Sequence, residues 1–321
     1  MSYRDSKGRY LCVFWQDEKG IIRESLFLRD EKHWRLIRTI FVTDGAKLES
    51  PLTAILWANG VEKRLFYLDQ SNLIREVLCS DGFSWAEDQH NGLTPLKIAT
   101  HHQSGLIAGH NRTREEEWRR RVYQQNEHLQ LQELKFDSCH RRWVHGYKEL
   151  PHALPGSVLA FGAHTNSTFL HLYYQKQDSQ PAEIYYMPWW WLNPLNMWFH
   201  GAYRPVGNYP NRTAIACIIR ERHFSEGHFR IFCHEGSGII SETICWAPLR
   251  WAPLIWAPTT RLPIKFPNAS HFVALEWMEP DVQEGWQQHI VGINTADGTI
   301  WDYITGSEKV GPQISLFDMA I

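Results

Sequence analysis

One sequence unit recurs six times along the chain, and a recurring unit constrains a fold more tightly than any single motif. The stretch Leu11 to Glu24 alternates around Val13 and Trp15, turns at Lys19-Gly20, and resumes as a second alternating run. That pattern is a β-hairpin. Each related hairpin carries an acidic residue twelve positions after a marked residue. The pairs are Cys12/Glu24, Arg64/Glu76, Arg121/Glu133, His171/Glu183, Arg230/Glu242 and Ile290/Asp302. The acids lie 52, 57, 50, 59 and 60 residues apart. Four short strands with their turns need roughly 40–50 residues or a little more. Apolar runs precede most hairpins, at 52–57, 105–109, 158–163, 214–219 and 272–277, and Trp34, Trp85, Trp143 or Trp198 follows.

The expected fold is therefore all-β: a six-bladed β-propeller with four-stranded antiparallel blades. It forms one domain over 1–321, with blades near 1–48, 49–98, 99–152, 153–208, 209–266 and 267–321. The first hairpin starts too early to leave room for an inner strand. Either the tail at 314–321 supplies that strand and closes the ring, which removes exposed sheet edges, or sequence upstream of Met1 supplies it.

The net charge of −2 and the pI near 6.8 give no electrostatic footprint for nucleic acid. No apolar stretch reaches the length of a membrane span, and residues 1–6 show no apolar leader. The six cysteines have no CxxC spacing, the 17 histidines are scattered, and His101-His102 reads as a surface or core feature. GxSxG, HExxH, P-loop and Rossmann patterns are absent, so neither metal nor cofactor is expected. Sequons at Asn111, Asn166, Asn211 and Asn268 exceed the roughly one expected by chance. They point to glycosylation and a secretory or extracellular location, and the missing leader leaves a cytoplasmic one open. Sixteen tryptophans supply flat apolar faces suited to sugars and planar ligands.

The unit Arg-Val-Tyr-x-Gln, an acid twelve positions after the Arg, and a following Trp resemble the fungal fucose-specific lectins of the Aleuria aurantia type. The resemblance spans essentially the whole chain. It implies sugar sites between adjacent blades, where an Arg and a Glu of one hairpin hold hydroxyls and a Trp of the next blade stacks on the ring. Guanidinium donors and a carboxylate acceptor match vicinal hydroxyls. Carried over by position, it implies sites at Arg64/Glu76 with Trp143 and at Arg121/Glu133 with Trp198. Blade 5 keeps Arg230/Glu242 without a matching Trp in blade 6. Blades 1, 4 and 6 have lost the Arg to Cys12, His171 and Ile290. Each Arg/Glu pair also reads as a simple cross-strand ion pair.

Two aromatic insertions, residues 187–198 and 246–258, depart from that family's short turns. In the second, Trp-Ala-Pro recurs every five residues. They pack over blade edges, or they line an apolar pocket walled by Trp198, Trp246, Trp251 and Trp256. Two functions follow. One is a fucose-binding lectin with fewer sites, taking fucosylated glycans. The other is similarity to the lectin-like fungal enzymes that catalyse intermolecular hetero-Diels–Alder coupling in tropolone–sesquiterpenoid biosynthesis. That second resemblance implies an apolar terpene and a planar oxygenated ring as substrates, with no cofactor. His171 and Arg230 would be donors, and Glu183 and Glu242 would orient them. The sequence favours the enzyme, because a working lectin would keep its Arg in every blade. A homodimer is the assembly expected.

Overall fold

In the computed structural model, the described residues are 2–4, 10–28, 33–40, 45–57, 62–81, 84–89, 91–112, 118–163, 169–186, 197–223, 226–247, 255–265, 271–278, 286–293, 299–304 and 314–315. They form six antiparallel sheets. Blade 1 is β1 (Ser2–Arg4), β2 (Tyr10–Gln16), β3 (Ile22–Leu28) and β4 (His33–Ile40). Blade 2 is β5 (Thr53–Trp57), β6 (Glu62–Leu68), β7 (Ile74–Cys79) and β8 (Ala86–Glu87). Blade 3 is β9 (Leu106–Arg112), β10 (Trp118–Gln125), β11 (Leu131–Asp137) and β12 (Arg142–His145). Blade 4 is β13 (Ala160–Ala163), β14 (Leu170–Gln175), β15 (Pro181–Tyr186) and β16 (Trp198–His200). Blade 5 is β17 (Ile215–His223), β18 (Glu226–His234), β19 (Ile239–Ala247) and β20 (Ile255–Trp256), with β21 (Thr260–Lys265) also paired to β19. Blade 6 is β22 (His271–Met278), β23 (Trp286–Ile293), β24 (Thr299–Ile304) and β25 (Ile314–Ser315).

The ring closes differently from the sequence expectation. Ser2–Arg4 pairs with β2 and gives blade 1 its own inner strand. Ile314–Ser315 pairs with β24 as the outer strand of blade 6. The chain therefore does not close by exchanging its tail into blade 1. A three-residue strand is enough, because β1 also lies against β22 and is held from both sides.

Strands of this period are half apolar, so each sheet has faces to cover. The sheets cover one another. Five clusters of buried side chains lie between successive blades rather than in one centre. Between blades 2 and 3 the cluster joins Phe66, Leu68 and Ile74 to Leu106, Val122, Leu134 and Trp143.

A second periodicity ties the blades together at their loops. Gln16 donates to Gly20 O and Lys47 O, and accepts from Ser50 N. Gln175 repeats this with Ser179 O, Pro210 O and Thr213 N, and Gln125 donates to Leu154 O. In return Ser50, Ser104 and Ser157 Oγ cap the backbone N–H of Leu68, Gln125 and Gln175 at 2.7–2.8 Å. These bonds satisfy loop groups that the ladders leave over.

Candidate functional site in the clefts between blades

Register places the marked residues. Within a hairpin the acid pairs directly with the residue two after the marked one: Phe14↔Glu24, Phe66↔Glu76, Tyr123↔Glu133, Tyr173↔Glu183 and Phe232↔Glu242. Side chains alternate along a strand, so marked residue, aromatic and acid share one face. Blade 6 breaks the rule. There Val291 pairs with Asp302 and Ile290 with Tyr303, which puts Asp302 on the opposite face from Ile290. The hairpin is one residue shorter, and a one-residue slip reverses every side chain. The expected Ile290/Asp302 copy is therefore not equivalent to the others.

The first two clefts share one design. Glu76 pairs with the Arg64 Nη1 and accepts from Leu93 N at 2.5 Å and from Trp143 Nε1 at 3.2 Å. Arg64 Nη2 also pairs with Asp88 at 2.9 Å. In blade 1, Cys12 Sγ reaches Glu24 at 3.3 Å, and Trp85 Nε1 of blade 2 reaches it at 3.2 Å. The missing arginine is replaced from the neighbouring blade: Lys63 Nζ lies 2.8 Å from Glu24. The sequence reading missed Lys63. Its signal is positional, because it directly precedes the marked Arg64 and that position points into the preceding cleft. The same position holds Arg120 and Phe229 in later blades.

The next two clefts change the donor. Tyr123 and Tyr173 replace phenylalanine, and their hydroxyls donate to Glu133 at 3.0 Å and Glu183 at 3.2 Å. Burial, and then the adjacent carboxylate, push both phenols well above their ordinary pKa, so both remain donors. Arg121 also pairs with Glu133, whose second oxygen accepts from Tyr147 N at 2.9 Å. His171 Nδ1 lies 2.7 Å from Glu183. The indole nitrogens of Trp198 and Trp256 are buried without a hydrogen-bond partner, and so is Glu183 Oε2. Gly146 and Gly201 permit this folding of the acids, since a Cβ there would lie 2.1 Å from Glu133 Oε2 and 2.0 Å from Glu183 Oε2.

Each acid-bearing hairpin meets the next blade's tryptophan edge-on. The ring pairs Phe14–Trp85, Phe66–Trp143, Tyr123–Trp198 and Tyr173–Trp256 lie at 5.6, 5.9, 5.7 and 6.4 Å, with interplanar angles of 85–89°. Trp256 thus holds in blade 5 the place that Trp143 and Trp198 hold in theirs, and it also packs on Tyr203 at 4.8 Å. Trp251 lies outside the described residues. Trp246 lies in β19 opposite His228 in β18, and its side chain is outside the described ones.

These groups are enclosed rather than open to solvent. Arg64, Glu76 and Trp143 are 5, 0 and 4% exposed, and Arg121, Glu133 and Trp198 are 7, 3 and 8% exposed. His171 and Glu183 are buried too, with Phe229 4.4 Å from the imidazole. The Arg230 side chain, 2.8 Å from Glu242, is the more open one at 26%. Among the described residues, a cleft of about 300 Å³ between blades 2 and 3 reaches the buried Arg64. Glu62, Arg64, Asn91, Arg120, Phe136, Ser138 and Arg141 line it.

Of the sequons, Asn211 is exposed in a turn and accepts from Ser179 Oγ at 2.6 Å. Asn111 lies in β9 with its side chain outside the described ones, and Asn166 and Asn268 lie outside the described residues. None of the six cysteines is in a disulfide. Among the described residues no three His, Cys, Asp or Glu side chains gather as a metal site, and no helix is long and apolar enough to cross a membrane.

Fold and clefts together define a propeller of repeated hairpins with a carboxylate, a cation and a neighbouring indole at the blade contacts. The sequence profile of the fungal fucose-specific lectins matches residues 4–291, and the chain belongs to that family. No curated protein matches it significantly. Among solved structures it is similar to AofleA from Arthrobotrys oligospora, at 20% identity and TM-score 0.78, covering 98% of this chain and 85% of that one. The Aleuria aurantia lectin, described as a six-bladed β-propeller with a novel fucose recognition mode, is 20% identical at TM-score 0.74, covering 98% and 94%. The BP39L lectin from Burkholderia pseudomallei is 14% identical at TM-score 0.67, covering 98% and 83%. These likenesses establish the fold.

Proposed function

We propose that the chain is a sugar-binding propeller with fewer working sites than blades, and that the cleft between blades 2 and 3 is one of them. The observation that carries this reading is the cleft itself. About 300 Å³ opens beside Arg64, whose guanidinium is fixed by Glu76 and Asp88. Fixed donors beside an aromatic wall, here Phe136, suit a ring with hydroxyls on its edges and C–H groups on its face. The Aleuria aurantia lectin has been solved with α-methyl-L-fucoside, which makes that sugar the first ligand to try.

Isothermal titration with methyl α-L-fucoside tests the reading. Wild type is expected to bind, and the lining variants Asn91→Ala and Phe136→Ala to bind at least about tenfold more weakly, the size of one lost polar or stacking contact. No heat at millimolar sugar sinks it.

The cycloaddition reading has less behind it. His171 and Arg230 do hold Glu183 and Glu242, but the imidazole is enclosed and Trp256 is packed into the contact of blades 4 and 5. The wall residue Trp251 lies outside the described residues.

A further inference from the structure

The loops that lead into the inner strands gather cations at one end of the propeller. β5, β9, β13 and β17 stand side by side around its axis. Each is entered by a short loop that closes on Ser50, Ser104, Ser157 or Thr213. Counted back from that residue, Lys47 and His101 hold the same position, His102 follows His101, and Arg212 immediately precedes Thr213. This end lies away from the sugar cleft, since Lys47 N donates to Leu68 O, at the far end of β6 from Glu62 and Arg64.

These groups keep donors to spare. Lys47 Nζ donates to Asn72 Oδ1 at 2.9 Å and to His102 O of the next loop, which leaves one of its three N–H groups. His101 Nδ1 accepts from Gln103 N at 3.2 Å, so the imidazole proton sits on Nε2. The His101 and His102 rings lie 4.2 Å apart. Arg212 is exposed, and its guanidinium has no hydrogen bond or ion pair among the described residues. It rests on Gly156, where a Cβ would lie 2.6 Å from its Nε. The acids of the hairpin turns at this end are taken by cations of their own: Asp17 by Arg23, Asp69 by Arg75, Asp178 by Lys176 and Glu235 by Arg261. Glu49 acts on Lys47, but the charged neighbours of His101 are His102, Lys47 and Arg212. Lys47 reaches it from the loop before and Arg212 from two loops beyond, so the cations ring the mouth of the channel rather than lie along one blade. Burial, and then those three groups, push the His101 pKa below its ordinary value. Gathering cations costs free energy, and an anion set among them returns it.

We propose that this mouth of the central channel binds a tetrahedral oxyanion, sulfate or phosphate as the free ion or as an ester. Arg212 and Lys47 are its charged donors, and the imidazoles of His101 and His102 complete the site. The proposal goes beyond the sugar reading and stands without it. A guanidinium fork matches paired oxyanion oxygens, and charge-assisted bonds are stronger than neutral ones. A bound dianion favours the charged imidazoles, so binding takes up protons and tightens as pH falls.

Isothermal titration with sodium sulfate decides it, at an ionic strength held constant with chloride. Sulfate keeps its charge between pH 7.5 and 5.5, so a pH dependence over that range belongs to the protein. Saturable binding is expected, about tenfold tighter at the lower pH, the effect of one proton taken up across one pKa unit. Arg212→Gln should weaken it at least about tenfold, as the loss of one charge-assisted contact allows. Arg212 is exposed, so this variant tests the site without touching the core. The double variant His101→Gln/His102→Gln should bind sulfate equally at both pH values. Glucose 6-sulfate run in parallel identifies the source: an ester where it binds at least as tightly as the ion, a free ion where it binds more weakly. No saturable heat at millimolar sulfate overturns the proposal, and so does binding that Arg212→Gln leaves intact. Wild-type affinity equal at both pH values overturns it too, because the imidazoles are half of the site.

Discussion

At the scale of residues, the clefts show one carboxylate satisfied in different ways. Glu24 is held by Lys63 from the next blade, because Cys12 stands where blades 2, 3 and 5 have an arginine. Removing one partner of a buried ion pair costs about 3–5 kcal/mol. Lys63→Met is therefore expected to lose stability of about that size in urea melts. Adding Cys12→Arg should recover much of the loss, since it restores the pairing of blades 2 and 3. If Cys12→Arg only adds damage, the blades do not share this geometry. A second exchange is expected where tyrosine is the donor. In Tyr123→Phe, Glu133 loses one hydrogen bond, and the unpartnered indole of Trp198, which stands edge-on to Tyr123 as Trp143 does to Phe66, is expected to take over in the way Trp143 serves Glu76. The cost should be below about 1 kcal/mol, smaller than for an ordinary buried hydroxyl. A Tyr123→Phe/Trp198→Phe cycle should show positive coupling, and strict additivity would rule the exchange out. His101 adds a pH effect. Partial burial, then His102, Lys47 and Arg212, lower its pKa below the ordinary 6.5. The unfolded chain therefore takes up this proton first, and stability is lost as pH falls from about 6.5 toward the folded value. His101→Gln should flatten the drop in urea midpoint between pH 7.5 and 5.5, and unchanged slopes would discount the histidine.

At the scale of elements, the hairpin was legible and so were the tryptophans Trp85, Trp143 and Trp198 that meet it, while Lys63 and the place of Trp256 were not. A twelve-residue spacing reads directly from the letters, and it means a shared face only while the turn keeps its length. Blade 6 retains the spacing with a turn one residue shorter, so Asp302 lands on the other face. Trp256 was hidden for a similar reason. Trp143 follows its acid by 67 residues and Trp85 by 61, so no fixed offset exists to count. The glutamine four positions after the marked residue recurs as Gln16, Gln125 and Gln175, but its partners are loop carbonyls 4 to 35 residues away. The serine or threonine at the start of blades 2 to 5, Ser50, Ser104, Ser157 and Thr213, is equally structural. Thr213, whose hydroxyl donates to Pro210 O at 2.7 Å, completes the sequon at Asn211, so that sequon has a reason to exist apart from a glycan. These staples should matter to stability. Gln175→Ala would remove the amide's bonds to Ser179 O, Pro210 O and Thr213 N at once, while Pro210 O still accepts from the Thr213 N–H and hydroxyl. One buried polar group left unmet costs about 1–3 kcal/mol, so a loss of about that size is expected. A loss below about 0.5 kcal/mol, the range of ordinary surface changes, would show that water replaces the amide without cost.

At the scale of the whole molecule, the question is how a ring of separate sheets holds together. No single centre does so. Hydrophobic clusters at successive blade contacts do, and each depends on its neighbours being in place. Closure between the first and last blades is the special case, because it joins the ends of the chain. β1 closes it with three residues, paired to β2 on one side and lying against β22 on the other. Deleting residues 1–5 would uncover the edge of β2 and loosen the contact with blade 6. An uncovered edge is a template for pairing with a second copy. The deletion is therefore expected to lower the melting temperature by several degrees and to give concentration-dependent association in size-exclusion chromatography. Replacing the same residues by an alternating Thr/Val strand should largely restore both, because what closes the ring is backbone pairing more than side-chain identity. A truncated chain that melts like the intact one and stays unassociated would mean that the remaining contacts between blades 1 and 6 close the ring without β1.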